Sequence, residues 1–178
     1  MSKKSILAFI LAATVILGLI SCKRLYFQVS EENRGGASNR FVLKKAYYQM
    51  GKAVALTGGG FQLVPSDSIV LYIEGQGTVT GVGEAGVATL DFAETTRFYI
   101  VLPTRLSVRK YDVGNRAICE ITGSLGYDPG ENLFVCQSGQ VVVDSLKKEK
   151  IFGTFAGKYI NTRNQSMTVD GRFKAGLK

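Results

Sequence analysis

Histidine and tryptophan are absent from this 178-residue chain, and proline and cysteine occur three times each. The missing histidine removes the commonest general base, the commonest metal ligand and the side chain that titrates near neutral pH. Ser-His-Asp triads, Cys-His dyads and imidazole zinc sites are therefore excluded. No catalytic residue, cofactor site or metal site is nominated, and the chain reads as non-enzymatic. The longest apolar run covers 15 residues, Ile6 to Ile20, short of the about 20 that a membrane-spanning helix needs. Beyond it, no stretch of eleven residues keeps a helical period free of Gly or Pro, so at most one short helix is expected.

What the amino terminus does contain is a secretory pattern. Lys3 and Lys4 precede the apolar run, which ends in Leu19-Ile20-Ser21-Cys22. A positive start, a short apolar core and a small residue before the cut are the marks of a removed signal. Residues 1–21 are read as that signal, Cys22 as the lipid-attachment residue, residues 22–40 as the anchored cysteine with a flexible tether, and 41–178 as the domain. Leu25, Tyr26, Phe27 and Val29 offer an alternative first strand inside the tether. Several acyl chains on Cys22 would supply the multiple membrane signals that stable anchoring requires.

After removal of the signal, 157 residues remain, with 20 Lys+Arg against 14 Asp+Glu, a net charge of +6. Dispersed positive charge is an ordinary solvated surface, and it also suits anionic lipid or acidic glycan. Nucleic acid is not expected as a partner, because export removes the compartment and no recognised nucleic-acid motif appears.

From Phe41 onward, short segments rich in Val, Ile, Tyr, Phe and Thr alternate with Gly, Asp and Pro every eight to twelve residues. That rhythm predicts one antiparallel all-β domain, a β-sandwich or an open barrel. Phe98 to Leu102 is apolar throughout and is expected to be buried on both faces. Ile151, Gly153, Phe155, Gly157 and Tyr159 share one strand face, and Asn161 to Gln165 turns into Met167, Val169, Gly171 and Phe173, a closing hairpin.

Several motifs have ordinary readings. The glycines from Gly75 to Gly86 lack dinucleotide-loop spacing and a following helix, so a bent strand or β-bulge is expected. The tyrosines, Tyr47, Tyr48, Tyr72, Tyr99, Tyr111, Tyr127 and Tyr159, are read as core or cross-strand pairs before ligand-cavity lining. The body's carboxylates, from Asp67 to Asp170, sit mostly beside turns. Asp128 to Asn132 has too few ligands for calcium and reads as a turn. Lys147-Lys148-Glu149-Lys150 reads as a charged hairpin connection.

With Cys22 assigned to lipid, Cys119 and Cys136 are left. A hairpin centred on Gly126 to Gly130 would pair positions whose numbers sum to about 255. That register places Cys119 opposite Cys136, and a disulfide between them is expected in an exported chain.

The lipobox and β-rich body resemble the small uncharacterised lipoproteins of Bacteroidota. Arg40 to Thr57, with Asp67 to Ile73 and Gly86 to Phe92, is similar to one subset with a "D-S-V" strand before a glycine-rich loop. Ser138 to Val143, Ile151 to Gly157 and Val169 to Phe173 resemble the end of another, "S-G-T-F … I-T-D-G-x-F". The resemblance covers about half of the mature chain and implies an all-β fold with no assigned activity. Lys23-Arg24 lacks the acidic cluster linked to surface export in such bacteria, which implies an outer-membrane anchor facing the periplasm. The expected role is binding of an envelope protein or anionic glycan; the alternative is a lipocalin-like carrier with a tyrosine-lined cavity for a small apolar ligand.

Overall fold

The computed structural model describes residues 25–31, 38–56, 61–82, 89–123 and 131–178. Its elements are nine strands: β1 (Tyr26–Glu31), β2 (Ser38–Ala55), β3 (Phe61–Val82), β4 (Thr89–Leu102), β5 (Lys110–Asp112), β6 (Ala117–Thr122), β7 (Leu133–Lys147), β8 (Lys150–Ile160) and β9 (Ser166–Leu177). The strands form a single sheet in the order β5-β7-β6-β4-β3-β2-β1-β9-β8, its neighbours antiparallel, and the β7–β8 pairing closes it into a ring. β5 and β6 lie along the same side of β7, at Gln140 to Val142 and Leu133 to Val135. They form one stave interrupted by the 3₁₀ turn Gly114–Arg116, so the barrel has eight positions. The all-β expectation holds, and ring closure selects the barrel over the sandwich.

Alternation builds the wall. On β8 and β9 the residues expected on one face do point inward, Ile151, Phe155 and Tyr159 opposite Ala175, Gly171 and Met167. Rings fill the axis: Phe27 stacks on Phe41 at 5.2 Å and meets Phe98 and Phe155 edge-on at 5.4 and 5.9 Å. Full burial of each such side chain contributes roughly 1.5–3 kcal/mol. The glycines make room for them. A Cβ on Gly75 would lie 2.1 Å from Phe27 Cε1, and one on Gly171 2.3 Å from Phe27 Cβ.

Three expectations change. The proposed tether contains β1 and the start of β2, because Phe27 and Val29 are needed inside the ring. Gly75 to Val82 is not bulged against β4 but pairs with it in unbroken register; the extra residue sits on the partner strand, where Lys44 is inserted between Leu43 and Lys45.

The third change concerns the hairpin. Ile118 faces Val135 and Cys119 faces Phe134, a register sum of 253. Cys119 and Cys136 therefore share the inward face but sit diagonally, and both are buried thiols. The observed β6–β7 register is offset by two positions in sum from the expected one, and diagonal neighbours are about 7–8 Å apart rather than disulfide distance.

The β2–β3 hairpin does something the alternation does not reveal. Between Met50↔Ile69 and Lys52↔Val64, one residue of β2, Gly51, opposes four of β3. Gly51 adopts φ +150°, and a Cβ there would press on the Val64 carbonyl at 2.8 Å. Pro65 brings no N–H to the ladder at this point. Phe61 lies eleven residues before Tyr72, about 36 Å along a straight strand. Its ring nevertheless sits 5.4 Å from that of Tyr99, the register partner of Tyr72. The hairpin thus bends and folds back as an arm against the outside of the barrel.

Candidate functional site

Under the arm the outer wall carries two adjacent rows of side chains. One runs Lys45, Glu74, Arg97, Glu120 across β2, β3, β4 and β6, each directly opposite the next. The other, two residues along, runs Tyr47, Tyr72, Tyr99, Ile118. Both follow from strand alternation: inward Leu71, Ile73, Phe98 and Ile100 leave Tyr72, Glu74, Arg97 and Tyr99 facing out.

The tyrosine rings are in contact. Tyr47 and Tyr72 stack at 4.7 Å, and Tyr72 meets Tyr99 edge-on at 5.2 Å. With Phe61, Leu63 and Val101 over them, Tyr72 and Tyr99 are only 6% and 8% exposed. This second, external core explains why Phe98 to Leu102 is apolar on both faces. Tyr47 stays half-buried, with the Lys45 and Lys178 ammonium groups 5.4 and 4.9 Å from its ring centre.

The charged row alternates in sign. The Tyr72 hydroxyl donates to Glu74 Oε2 at 2.5 Å, and Arg97 Nε donates to the same oxygen at 3.1 Å. Arg97 Nη1 reaches Glu120 Oε2 at 3.4 Å. Burial works against ionised Glu74, but the bonds from Tyr72 and Arg97, with the charges of Arg97 and Lys45, hold its carboxyl below the usual range. Burial first, and then the Glu74 bond and charge, raise the Tyr72 phenol far above its ordinary value. Burial and the Glu120 charge push Tyr99 up to about 12.

Together Tyr47, Leu56, Phe61, Tyr72, Glu74 and Arg97 line a hollow of about 510 Å³, open to solvent, within the size range of ligand sites. Two hollows of about 540 and 650 Å³ lie elsewhere on the wall, around Tyr26 and Arg172 and around Gln76 and Thr122. The hollow under the arm joins a run of stacked rings to a run of paired charges.

Cys22, Tyr127 and Asp128 lie outside the described residues. Cys119 and Cys136 are deep in the barrel beside Tyr159, and burial raises the Cys136 thiol to about 11, so neither is placed as an exposed nucleophile. Among the described residues no group of three or more His, Cys, Asp or Glu could hold a metal, and no helix is long and apolar enough to cross a membrane. Of the tyrosines, Tyr47, Tyr72 and Tyr99 lie on the outside of the wall, while Tyr111 and Tyr159 pack in the inner core with Phe27, Phe98 and Phe155. The outer site was missed because its cover comes from a bent arm; an apolar Tyr99 and Val101 on an outward face were its trace in the sequence. Comparison with known proteins gave no matching family model, no matching curated protein and no matching solved structure, so the reading of this site rests on its own geometry.

Proposed function

We propose that this chain is a lipid-anchored, non-enzymatic binding domain of the cell envelope, held through Cys22 and facing the periplasm, and that the hollow under the arm takes an acidic glycan. The tyrosine row set beside the charged row is the observation that carries the reading. Sugar rings have an apolar C–H face that packs on an aromatic side chain and a rim of hydroxyls that needs paired donors and acceptors. Tyr47 supplies the face; Glu74, Arg97 and Glu120 supply the polar edge. Lys45 and Lys178, around Tyr47, favour a carboxylate or sulfate on the sugar.

Binding fits this geometry better than cleavage does. Glu74 and Glu120 flank Arg97, and both accept a hydrogen bond from its guanidinium, at 3.1 and 3.4 Å. A glycosidase acid needs a raised pKa, and Arg97 and Tyr72 push Glu74 the other way.

Two experiments test the reading. The mature protein, titrated against a panel of acidic and neutral oligosaccharides, should bind acidic members saturably, and Tyr47→Ala should weaken binding about tenfold; no acidic ligand, or one indifferent to Tyr47, overturns the glycan assignment. For the anchor, Cys22→Ala should leave an unprocessed precursor that takes up no labelled fatty acid, and normal processing would refute Cys22 as the lipid site.

A further inference from the structure

One end of the barrel is distinctive. It is built from the bend after Met50, the 103–109 loop, the β7–β8 turn and the end of β9. Backbone bonds tie these into a continuous rim: Leu177 N donates to Glu149 O at 2.8 Å, Lys178 N to Tyr48 O at 3.1 Å, and Val143 N to Arg109 O at 2.9 Å. The Thr104 hydroxyl bonds the Asp67 carbonyl. The 103–109 loop is pinned from below, because the Tyr111 hydroxyl accepts from Ser107 N at 2.6 Å and donates to Ser107 O at 3.0 Å.

Among the described residues, four of the seven exposed large hydrophobics lie on this rim: Met50 at 51%, Val108 at 61%, Leu146 at 41% and Leu177 at 51%. Met50 pairs with inward Ile69 and Leu146 with inward Ile151, so both continue the core-facing rows past the point where the core ends. They form an apolar lip. Around it stand six exposed cations, Arg105, Arg109 and Lys110 in one segment and Lys147, Lys148 and Lys150 in the other, with Glu149 the one carboxylate within those two segments.

β1 runs antiparallel to β2 and away from this end, but it starts partway down the wall, where Tyr26 faces Val42 and Leu43 N donates to Leu25 O, seven to eight residues short of Met50.

From the apolar lip and the cationic ring around it, we infer that this rim docks onto the anionic phospholipid bilayer surface. The inference rests on the Cys22 anchorage proposed above for its effective concentration, though the rim itself does not need it. Apolar side chains at headgroup depth flanked by Lys and Arg are the composition of an interfacial membrane contact. A second copy of the chain fits worse, since a two-fold contact would face the same six cations against one another. Docking in this way leaves the side wall, with the hollow under the arm, open to the periplasm.

The test uses the mature lipoprotein in vesicles of phosphatidylcholine alone or mixed with phosphatidylglycerol, with trypsin cleavage after Arg105, Arg109, Lys147 and Lys148 followed by mass spectrometry. With phosphatidylglycerol present these cuts should slow about tenfold; the protection should vanish in high salt, and the Arg105 and Arg109 cuts should lose it in the K147E/K148E/K150E variant, whose changes lie in an exposed turn. Equal cutting in both vesicle types by a vesicle-bound protein overturns the docking and leaves the anchor standing. Should the mature chain carry no lipid, the anchor fails instead, and salt-sensitive sedimentation with the phosphatidylglycerol vesicles decides the rim separately: binding upholds it, no binding refutes it. Protection of the same cuts without vesicles, rising with protein concentration, would assign the rim to self-association and refute the bilayer.

Discussion

The Tyr72 hydroxyl and the Arg97 guanidinium converge on a single oxygen of Glu74, at 2.5 and 3.1 Å. That convergence links the aromatic row to the charged row, since Tyr72 belongs to one and Arg97 to the other. Replacing Glu74 with Gln keeps the shape but removes the charge that both donors address. Exposed pairs contribute about 0–1 kcal/mol, and hydrogen bonds to charged groups about 1.5–3. Because Glu74 and Arg97 are only partly shielded, E74Q should cost about 1 kcal/mol in urea unfolding, and Y72F a similar amount. A double variant costing clearly less than the sum of the two would show that they share one interaction; strict additivity would refute the convergence.

Stability should also decline in alkali, for a reason that can be assigned. Burial raises the Cys136 thiol from 9.0 to about 11 and the Tyr99 phenol from 10.0 to about 12, and it raises Tyr72 and Tyr159 further. A group that holds its proton more tightly when folded contributes stability in full below its unfolded pKa, and loses it as pH rises through the folded value. Unfolding free energy should therefore be level to about pH 9 and fall from there towards pH 12. Glu74 has the opposite sign: its lowered pKa contributes above the ordinary value of 4.5 and is lost in acid. Tyrosinate absorbance followed with circular dichroism tests this directly. Early ionisation of all tyrosines in the folded state would contradict the placement of Tyr99 and Tyr159.

Where the sequence was legible, period-two alternation over an unbroken ladder made it so. The β8–β9 hairpin, with its inward Ile151, Phe155, Tyr159, Met167 and Phe173, follows from pattern alone. Asn161 completes it by accepting from the Arg163 and Gln165 amides at 3.0 and 2.9 Å. Legibility ended where one strand had to satisfy two neighbours. Gly75 lies in a regular strand because Phe27 of β1 and Phe41 of β2 press on it, contacts that no local window contains. The same holds for the site, since Glu74 and Arg97 are 23 residues apart and meet only through the β3–β4 register.

The thiols offer a sharp check on that register. With Cys119 opposite Phe134 and Cys136 displaced by two positions, the mass of the native protein should be the same before and after reduction. Both cysteines should resist iodoacetamide until the barrel unfolds. A native species two hydrogens lighter would mean that β6 and β7 can slip into the opposed register, against the sum of 253.

The last prediction concerns the arm, on which the site depends. Side-chain packing sets Phe61 and Leu63 against the wall, where they cover Tyr72 and Tyr99. Phe61 is half-buried, so F61A should cost roughly 1–3 kcal/mol, below the range for a fully buried ring. The loss should be local, because the inner ring of Phe27, Phe98 and Phe155 is untouched. Amide hydrogen exchange should accelerate across residues 52–64 while β8 and β9 keep their protection, and exposure of Tyr99 should lower its pKa from about 12 towards 10.0. If exchange in the arm matched that of the unaltered protein, the arm would be held by its own ladder and bend rather than by the rings beneath it. Uniform acceleration through β8 and β9 would instead make the external core part of the barrel's cooperative unit, so that glycan contacts at Tyr47 would stabilise the whole fold rather than the arm alone.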